Sequence, residues 1–166
     1  MSPEELRAAH NSVGAKLAEV ANALLQKSKG TLVGNGSYAG FVSAALSHVP
    51  HARVPESSGS STQYGFKIYH QVASTVHTRA AEILPGDIIV LVDARLKGHK
   101  GLHNYSLSVG EGTACVGVVV EFEGKKAKVR CAQANQHVGQ ATVEAVSYRL
   151  EDLKSGTLKI YRVLEA

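Results

Sequence analysis

The sequence predicts one α+β domain in which N-terminal helices pack on an antiparallel sheet, and three observations lead to that prediction. Its 166 residues match the size of a single domain. Hydrophobic residues make up 44% of the chain, which is enough to build a core and excludes a disordered tail. Helical patterns come first along the chain and β patterns follow, whereas an α/β fold would alternate the two.

The first helix is predicted over residues 1–29. Ser2 can cap it, Pro3 suits the first helical position, and Glu5 completes a capping box. Gly30 is the expected stop. Residues spaced three or four positions apart then mark one helical face, namely Leu6, His10, Val13, Leu17, Val20 and Leu24. His10 on this stripe is expected to be a boundary histidine rather than a ligand.

Residues 30–163 are predicted to form the core of the domain. A glycine turn ends at Gly36, Ser37 caps a second helix, and that helix runs over 38–47. A surface loop is expected over 49–62 and a helix in the second half of 64–81.

The strands are predicted in the second half of the chain. The continuous apolar run Ile88–Val92 follows Pro85-Gly86-Asp87 and predicts a strand at the centre of the sheet. A basic loop is expected from Arg95 to His103. Further strands are expected at 147–150 and 157–163, joined by a turn at 154–156.

The clearest local pattern is a β-hairpin. Val116–Glu123 and Lys126–Gln133 can pair around a two-residue turn, Gly124-Lys125. In that register Glu123 would face Lys126, so opposite charges meet on one face and apolar residues on the other. A solvated charge ladder therefore explains the lysines of this hairpin better than a phosphate-binding patch does.

The composition limits which classes of partner and cofactor are expected for this chain. The 18 basic and 14 acidic residues give a net charge of +4, and with 5% aromatic residues no nucleic-acid partner is expected. Two isolated cysteines and eight scattered histidines predict neither a metal site nor a cofactor. No apolar run is long enough to span a bilayer, and the N-terminus lacks the order of a secretory signal, so a cytoplasmic location is expected.

Two alternative functions remain open at this point. One is a hydrolase that uses Ser37 with His103, or Cys115 or Cys131 in a rearranged site. The other is a weak binder of anionic lipid or nucleic acid, through the hairpin lysines and three basic residues of the predicted loop, which are Arg95, Lys97 and Lys100.

The order of elements resembles a known family. Its markers are the glycine turn Gly34-Asn35-Gly36-Ser37-Tyr38, the turn into the central strand Pro85-Gly86-Asp87-Ile88-Ile89, the hairpin, and the C-terminal segment 147–163. Together they resemble the cysteine-proteinase-fold domain of fungal cortical actin patch proteins, the SH3-containing myosin tail region-interacting proteins and their relatives. More distantly they are similar to NlpC-type papain-like peptidases. The resemblance implies a papain-like α+β fold.

The resemblance also assigns positions of a former cleft. The family's cysteine falls at Tyr38, its histidine at Cys115 or Val116, and its third, polar residue at Gln133 and Asn135. Another register would place the histidine near His103 or Asn104, but it breaks the hairpin match.

With the nucleophile and base positions changed, the resemblance implies a domain without catalysis. It would act as a protein-interaction module in the cytoplasm, at cortical actin patches and sites of endocytosis. Its partners would belong to the actin-patch or myosin and SH3 network, and the sequence leaves its oligomeric state open.

Overall fold

A computed structural model of the chain describes residues 1–27, 32–58, 61–136 and 142–166. Its helices are α1 (Pro3–Ala9), α2 (Ala15–Gln26) and α3 (Tyr38–Ser47), with a π-helical segment at His10–Gly14 and 3-10 turns at Gly124–Lys126 and Leu150–Asp152. Its strands are β1 (Glu56–Ser58), β2 (Ser61–Gln63), β3 (Phe66–Val72), β4 (Thr75–Arg79), β5 (Ile88–Lys100), β6 (His103–Val109), β7 (Cys115–Glu123), β8 (Lys128–Ala134), β9 (Val143–Arg149) and β10 (Leu153–Arg162).

The N-terminal helix begins with the predicted capping box. The Glu5 backbone N–H donates to Ser2 Oγ at 3.1 Å, and the Ser2 backbone N–H donates to the Glu5 carboxylate at 2.7 Å. The single predicted helix is divided by the π-helical segment, where the backbone of Gly14 packs against Gly86. The predicted stop at Gly30 lies outside the described residues.

Three predicted segments differ from the structure. The expected helix in 64–81 is the β3–β4 hairpin, because its β-branched and aromatic residues favour strands. The expected loop at 49–62 contains the small β1–β2 ladder. The basic loop from Arg95 to His103 was also predicted wrongly, because these residues continue β5 and turn into β6.

An antiparallel sheet in the order β4-β3-β10-β5-β7-β8-β9, with β6 beside the second half of β5, forms the body of the domain. The apolar run after Pro85-Gly86-Asp87 does lie in the interior of this sheet, as predicted. β9 forms one edge of this sheet, whereas β10 is the third strand from the opposite edge. The short 3-10 turn Leu150–Asp152 nevertheless connects these two strands directly. In a flat sheet these strands would lie about 19 Å apart, so the sheet coils to bring their ends together.

Each face of the coiled sheet has a core. α2 and α3 cover one face, where Phe41, Val42 and Ala45 pack with Val116 and Val118. The inner face packs Leu6, residues of β3, β5 and β10, Cys115, Cys131 and Tyr148. The predicted α+β architecture, helices on an antiparallel sheet, is confirmed.

The predicted β7–β8 hairpin forms, but its turn is longer than predicted. Gly124–Lys126 make a 3-10 turn, and Ala127 adopts the left-handed region with φ 46°. Glu123 therefore pairs with Lys128 rather than with Lys126. Opposite charges still meet, because Lys128 Nζ lies 3.4 Å from the Glu123 carboxylate.

The last two strands do not form the predicted hairpin around residues 154–156. β9 pairs with β8, whereas β10 lies between β3 and β5. Gly156, with φ 84°, stands where the register of β10 shifts against β5. Residues 154–156, which the sequence predicts to be a turn, therefore lie inside β10, where its register against β5 is irregular.

A buried ion pair joins the two ends of the domain to the start of β5. Arg162 Nε donates to Asp87 Oδ1 at 2.7 Å, and both side chains are buried, at 2% and 0% exposure. The guanidinium also donates to the backbone carbonyls of Leu6 at 3.1 Å and Glu82 at 2.8 Å. The Leu84 backbone N–H donates to the second carboxylate oxygen of Asp87 at 2.8 Å, which fixes the turn before β5.

Candidate functional site

The glycine turn sets the start of α3, as the sequence predicts. Ser37 Oγ accepts from the Gly40 backbone N–H at 2.9 Å, which makes it the N-cap, and it donates to Asn35 Oδ1 at 2.5 Å. Gly40 carries no side chain because the Asn35 amide occupies the space that its Cβ would need. This turn delivers Tyr38 as the first residue of the helix.

Two strands of the inner core form the wall opposite Tyr38. Cys115 begins β7, and Gln133 stands near the end of β8. The Gln133 Oε1 atom accepts from the Tyr148 hydroxyl at 2.8 Å and from the Cys115 thiol at 3.5 Å. The Cys131 thiol donates to the same oxygen at 3.6 Å. These side chains thus form one buried hydrogen-bonded cluster.

Burial determines the protonation of this cluster. Desolvation raises the pKa of Cys115 to about 11, and Glu144 adds to the rise while the Tyr148 hydroxyl opposes it. Burial, followed by the neighbouring Cys115, raises the pKa of Cys131 well above its usual value. Both sulfurs are therefore thiols at neutral pH, and a thiol is a poor nucleophile.

The structure brings Tyr38 next to this cluster. Burial raises the pKa of the Tyr38 phenol, and the nearby Cys115 and Glu144 raise it further. Contacts of α3 with β7 and β8 hold the helix against the hairpin. Tyr38 and Cys115, the positions that the resemblance assigned to the nucleophile and base, therefore belong to one packed region of the core, as a neutral phenol and a neutral thiol.

The other two residues that the resemblance assigned to the cleft, Val116 and Asn135, lie in β7 and directly after β8. Val116 points to the other face of the sheet and packs under α3 in the helix-covered core. Asn135 follows β8, and its backbone N–H donates to the carbonyl of Thr142 at 2.9 Å. Sequence reasoning missed Tyr148, because the pairing of β8 with β9 brings it to Gln133. It also missed Gln136, whose Nε2 donates to the carbonyl of Gly36 at 2.6 Å and ties the glycine turn to the hairpin.

The alternative pair Ser37 and His103 is not assembled. His103 is exposed and opens β6 opposite Lys100. Leu91, the partner of Cys115, lies about 30 Å before Lys100 along β5. The Ser37 hydroxyl meanwhile caps α3 and donates to Asn35.

An open groove runs beside the Tyr38 contact on the helix-covered face of the sheet. It encloses about 310 Å³, and its floor is formed by β5 and β10 with Val90, Val92 and Lys159. Ala39 and Val116 line the end nearest to Tyr38. Val92 is 39% exposed although it stands in the middle of a sheet, so no helix in the described ranges covers this part of the face.

Neither a metal site nor a membrane span occurs in the parts of the chain that the structure describes. Those parts hold no group of three or more histidine, cysteine, aspartate or glutamate residues able to bind a metal ion. Within the same described ranges no helix has both the length and the apolar character to cross a membrane.

A helix that presents its first residue to the start of a β-hairpin, on a coiled antiparallel sheet, defines the class: this is a cysteine-proteinase-fold domain. The chain belongs to the AIM3/BBC1 cysteine proteinase-fold domain family, because the sequence model of that family matches residues 1–166. The predicted family and fold are therefore confirmed.

A curated relative shares a large part of the sequence. The chain is 32% identical over 138 residues to an SH3 domain-containing protein of Schizosaccharomyces pombe, strain 972. The matched stretch covers 82% of this chain and 8% of that relative, which is therefore a far longer protein. No solved structure gives a significant match.

Proposed function

We propose that this domain is a catalytically inactive cysteine-proteinase-fold module that binds a segment of another protein. The observation that carries the proposal is that Tyr38 packs against the core cluster that contains Cys115, where burial raises the pKa of both the phenol and the thiol, so that neither group can attack a carbonyl at neutral pH. Acyl transfer by this fold needs a thiolate and a base within hydrogen-bond reach. Here the helix start presents a phenol, and the opposite thiol donates to an amide.

The cellular setting of the proposal is the fungal cytoplasm, at cortical actin patches and sites of endocytosis. Membership of the AIM3/BBC1 family and the SH3 domain-containing relative support this setting. The partners would then come from the actin-patch or myosin and SH3 network.

Thiol reactivity tests the inactive site. With its pKa at about 11, Cys115 should react with iodoacetamide at pH 7 at least about 300-fold more slowly than an ordinary thiol of pKa about 8.5, since the thiolate fraction falls by that factor. Mass spectrometry of the folded protein should find both cysteines unmodified when the urea-unfolded protein is fully alkylated. Fast alkylation of one cysteine, or labelling of Ser37 by a fluorophosphonate only in the folded protein, would instead indicate an enzyme.

The open groove beside Tyr38 is the binding site that we propose for the partner. Val90 and Val92 stand two residues apart on β5 and both line the floor of the groove. Such a spacing suits the binding of an extended segment with apolar side chains. Lys159 stands beside them on β10, and in the described part of the chain it takes part in no ion pair. A partner segment that combines apolar side chains with an acidic residue therefore matches the groove in shape and charge.

Selection from a displayed peptide library tests the groove directly. We expect enriched peptides that combine apolar residues with Asp or Glu, and we expect Val92→Glu to weaken their binding at least about tenfold by repulsion and by obstruction of the floor. Leu102→Glu is the matched control, because it adds the same charge at an exposed apolar position of a distant hairpin. Equal loss in both variants, or no loss in either, would exclude the groove as the site.

A further inference from the structure

The β5–β6 hairpin carries a fully exposed leucine at its tip. Lys100 pairs with His103, so Gly101 and Leu102 form a two-residue turn, and Gly101 has the positive φ of 62° that such turns require. Leu102 is 100% exposed, more than any other large apolar residue among those described. Packing among the described residues therefore does not account for an apolar side chain at this position.

A basic cavity lies directly behind this tip. It encloses about 770 Å³ between the hairpin and the turn that joins β9 to β10. Three cationic side chains line it, Lys97, Arg149 and Lys154. Of the described residues, none forms an ion pair with any of the three, whereas Glu123 and Asp87 neutralise cations elsewhere in the domain.

The one carboxylate in the cavity lining is already engaged. Asp152 Oδ2 accepts from the Tyr105 hydroxyl at 2.6 Å. Its carboxylate packs on Gly98, where a Cβ would collide with it. Lys100 lies over the ring of Tyr105, 5.4 Å from the centroid, and adds a fourth positive charge near the cavity. The cavity lining keeps a net positive charge because its three cations outnumber the single carboxylate of Asp152, and positive groups that share a concave surface raise the local potential and attract anions.

We propose that this hairpin binds the surface of a membrane that contains phosphorylated anionic lipids, with Leu102 inserted among the lipids and a headgroup phosphate in the basic cavity. The distances agree with that arrangement. His99 and Asn104, which line the cavity, stand two residues from the turn, or about 7 Å along the strands. An apolar element at a membrane interface enters by about 5–10 Å, which brings the phosphates to the cavity when Leu102 is inserted.

The exposed leucine is the reason to favour a membrane over a soluble anion or a nucleic acid. A phosphopeptide or a free phosphate would use the cations but would gain nothing from a fully exposed apolar tip outside the cavity lining. Single-stranded nucleic acid is bound through stacking on aromatic rings. In the described lining the ring of Tyr105 has Lys100 over it, which leaves the small imidazole of His99 as the other aromatic ring for stacking.

Vesicle flotation with the full chain tests the proposal. The probe is a phosphatidylcholine vesicle in which about one lipid in twenty is a phosphatidylinositol bisphosphate, compared with phosphatidylcholine alone. The wild-type protein should float with the first vesicle and not with the second. Lys97→Glu/Lys154→Glu should lower the affinity at least about 25-fold, since each basic residue near an anionic surface contributes about fivefold, or about 1 kcal/mol. Leu102→Asp should lower it about tenfold.

Matched controls keep the test specific. Lys27→Glu/Lys67→Glu makes the same charge change at two exposed lysines, one at the end of α2 and one in β3, and Val54→Asp adds the same charge as Leu102→Asp at another exposed apolar residue. Both should bind within about twofold of the wild type. All the substituted residues are solvent-exposed, so we expect the variants to be as stable as the wild type. Equal midpoints of urea unfolding would show that each variant is folded.

Three results would overturn the proposal. The first is no binding of the wild type to the phosphoinositide vesicles. The second is an equal loss in the Lys27→Glu/Lys67→Glu control, which would indicate attraction by net charge alone. The third is full vesicle binding by Leu102→Asp together with equally tight binding of soluble inositol phosphate or of an oligonucleotide, which would assign the cavity to a soluble anion.

Discussion

Replacement of Asp87 by asparagine should lower the free energy of unfolding by about 3–5 kcal/mol. The variant leaves the Arg162 guanidinium buried at 2% exposure without its counter-charge, and breaking one side of a buried ion pair has a cost of this size. The Arg162 guanidinium also donates to the backbone carbonyls of Leu6 and Glu82. Displacement of this side chain should therefore weaken the packing of α1 as well. Urea unfolding followed by circular dichroism gives the measurement.

The control is the exposed ion pair of α2. Lys16 Nζ lies 3.6 Å from the Glu19 carboxylate, and the side chains are 53% and 73% exposed. Glu19→Gln should therefore change the free energy of unfolding by less than about 1 kcal/mol. A loss in Asp87→Asn no larger than that of Glu19→Gln would show that the buried pair does not fix the turn before β5.

Gly86→Ala should be the second strongly destabilising substitution, with a loss of about 2–5 kcal/mol. Gly86 has φ 96°, where a side chain has a conformational cost of about 1–2 kcal/mol. A Cβ there would also collide with the backbone carbonyl of Gly14, so the π-helical segment would have to move away, at a further cost of about 1–3 kcal/mol. Chemical denaturation at constant m value would measure the loss.

Gly112→Ala separates the two causes. Gly112 has a similar φ of 74°, but no atom lies within 4 Å of its added Cβ. This variant should lose only the conformational part, about 1–2 kcal/mol. If both substitutions had the same effect, the contact between Gly86 and Gly14 would be irrelevant to stability.

The accuracy of the sequence-based predictions depended on how local each interaction is. Ser2 with Glu5, and Ser37 with the start of α3, act over three residues, so their residue types were sufficient to place the caps. The β7–β8 hairpin was also predicted, but its turn length depended on Ala127, which adopts a left-handed conformation that alanine seldom takes. The register was therefore wrong by two residues.

Interactions between distant segments were largely missed. Nothing near Gln133 in the sequence indicates that the Tyr148 hydroxyl donates to it across the β8–β9 ladder. The Pro85-Gly86-Asp87 motif was noted as a turn, but the partner of Asp87 stands 75 positions later. The strands of 64–81 were missed because β4 is almost wholly exposed and carries little apolar pattern.

The Arg162 side chain has a consequence for how the domain is synthesised. Its bond to the carbonyl of Leu6 spans 156 positions, so α1 obtains this contact only after residue 162 has left the ribosome. Until then β5 has no β10 beside it and the Asp87 carboxylate has no cation. Nascent chains should therefore expose the edges of β3 and β5 until β10 has been synthesised, which makes them clients for chaperones that shield apolar segments.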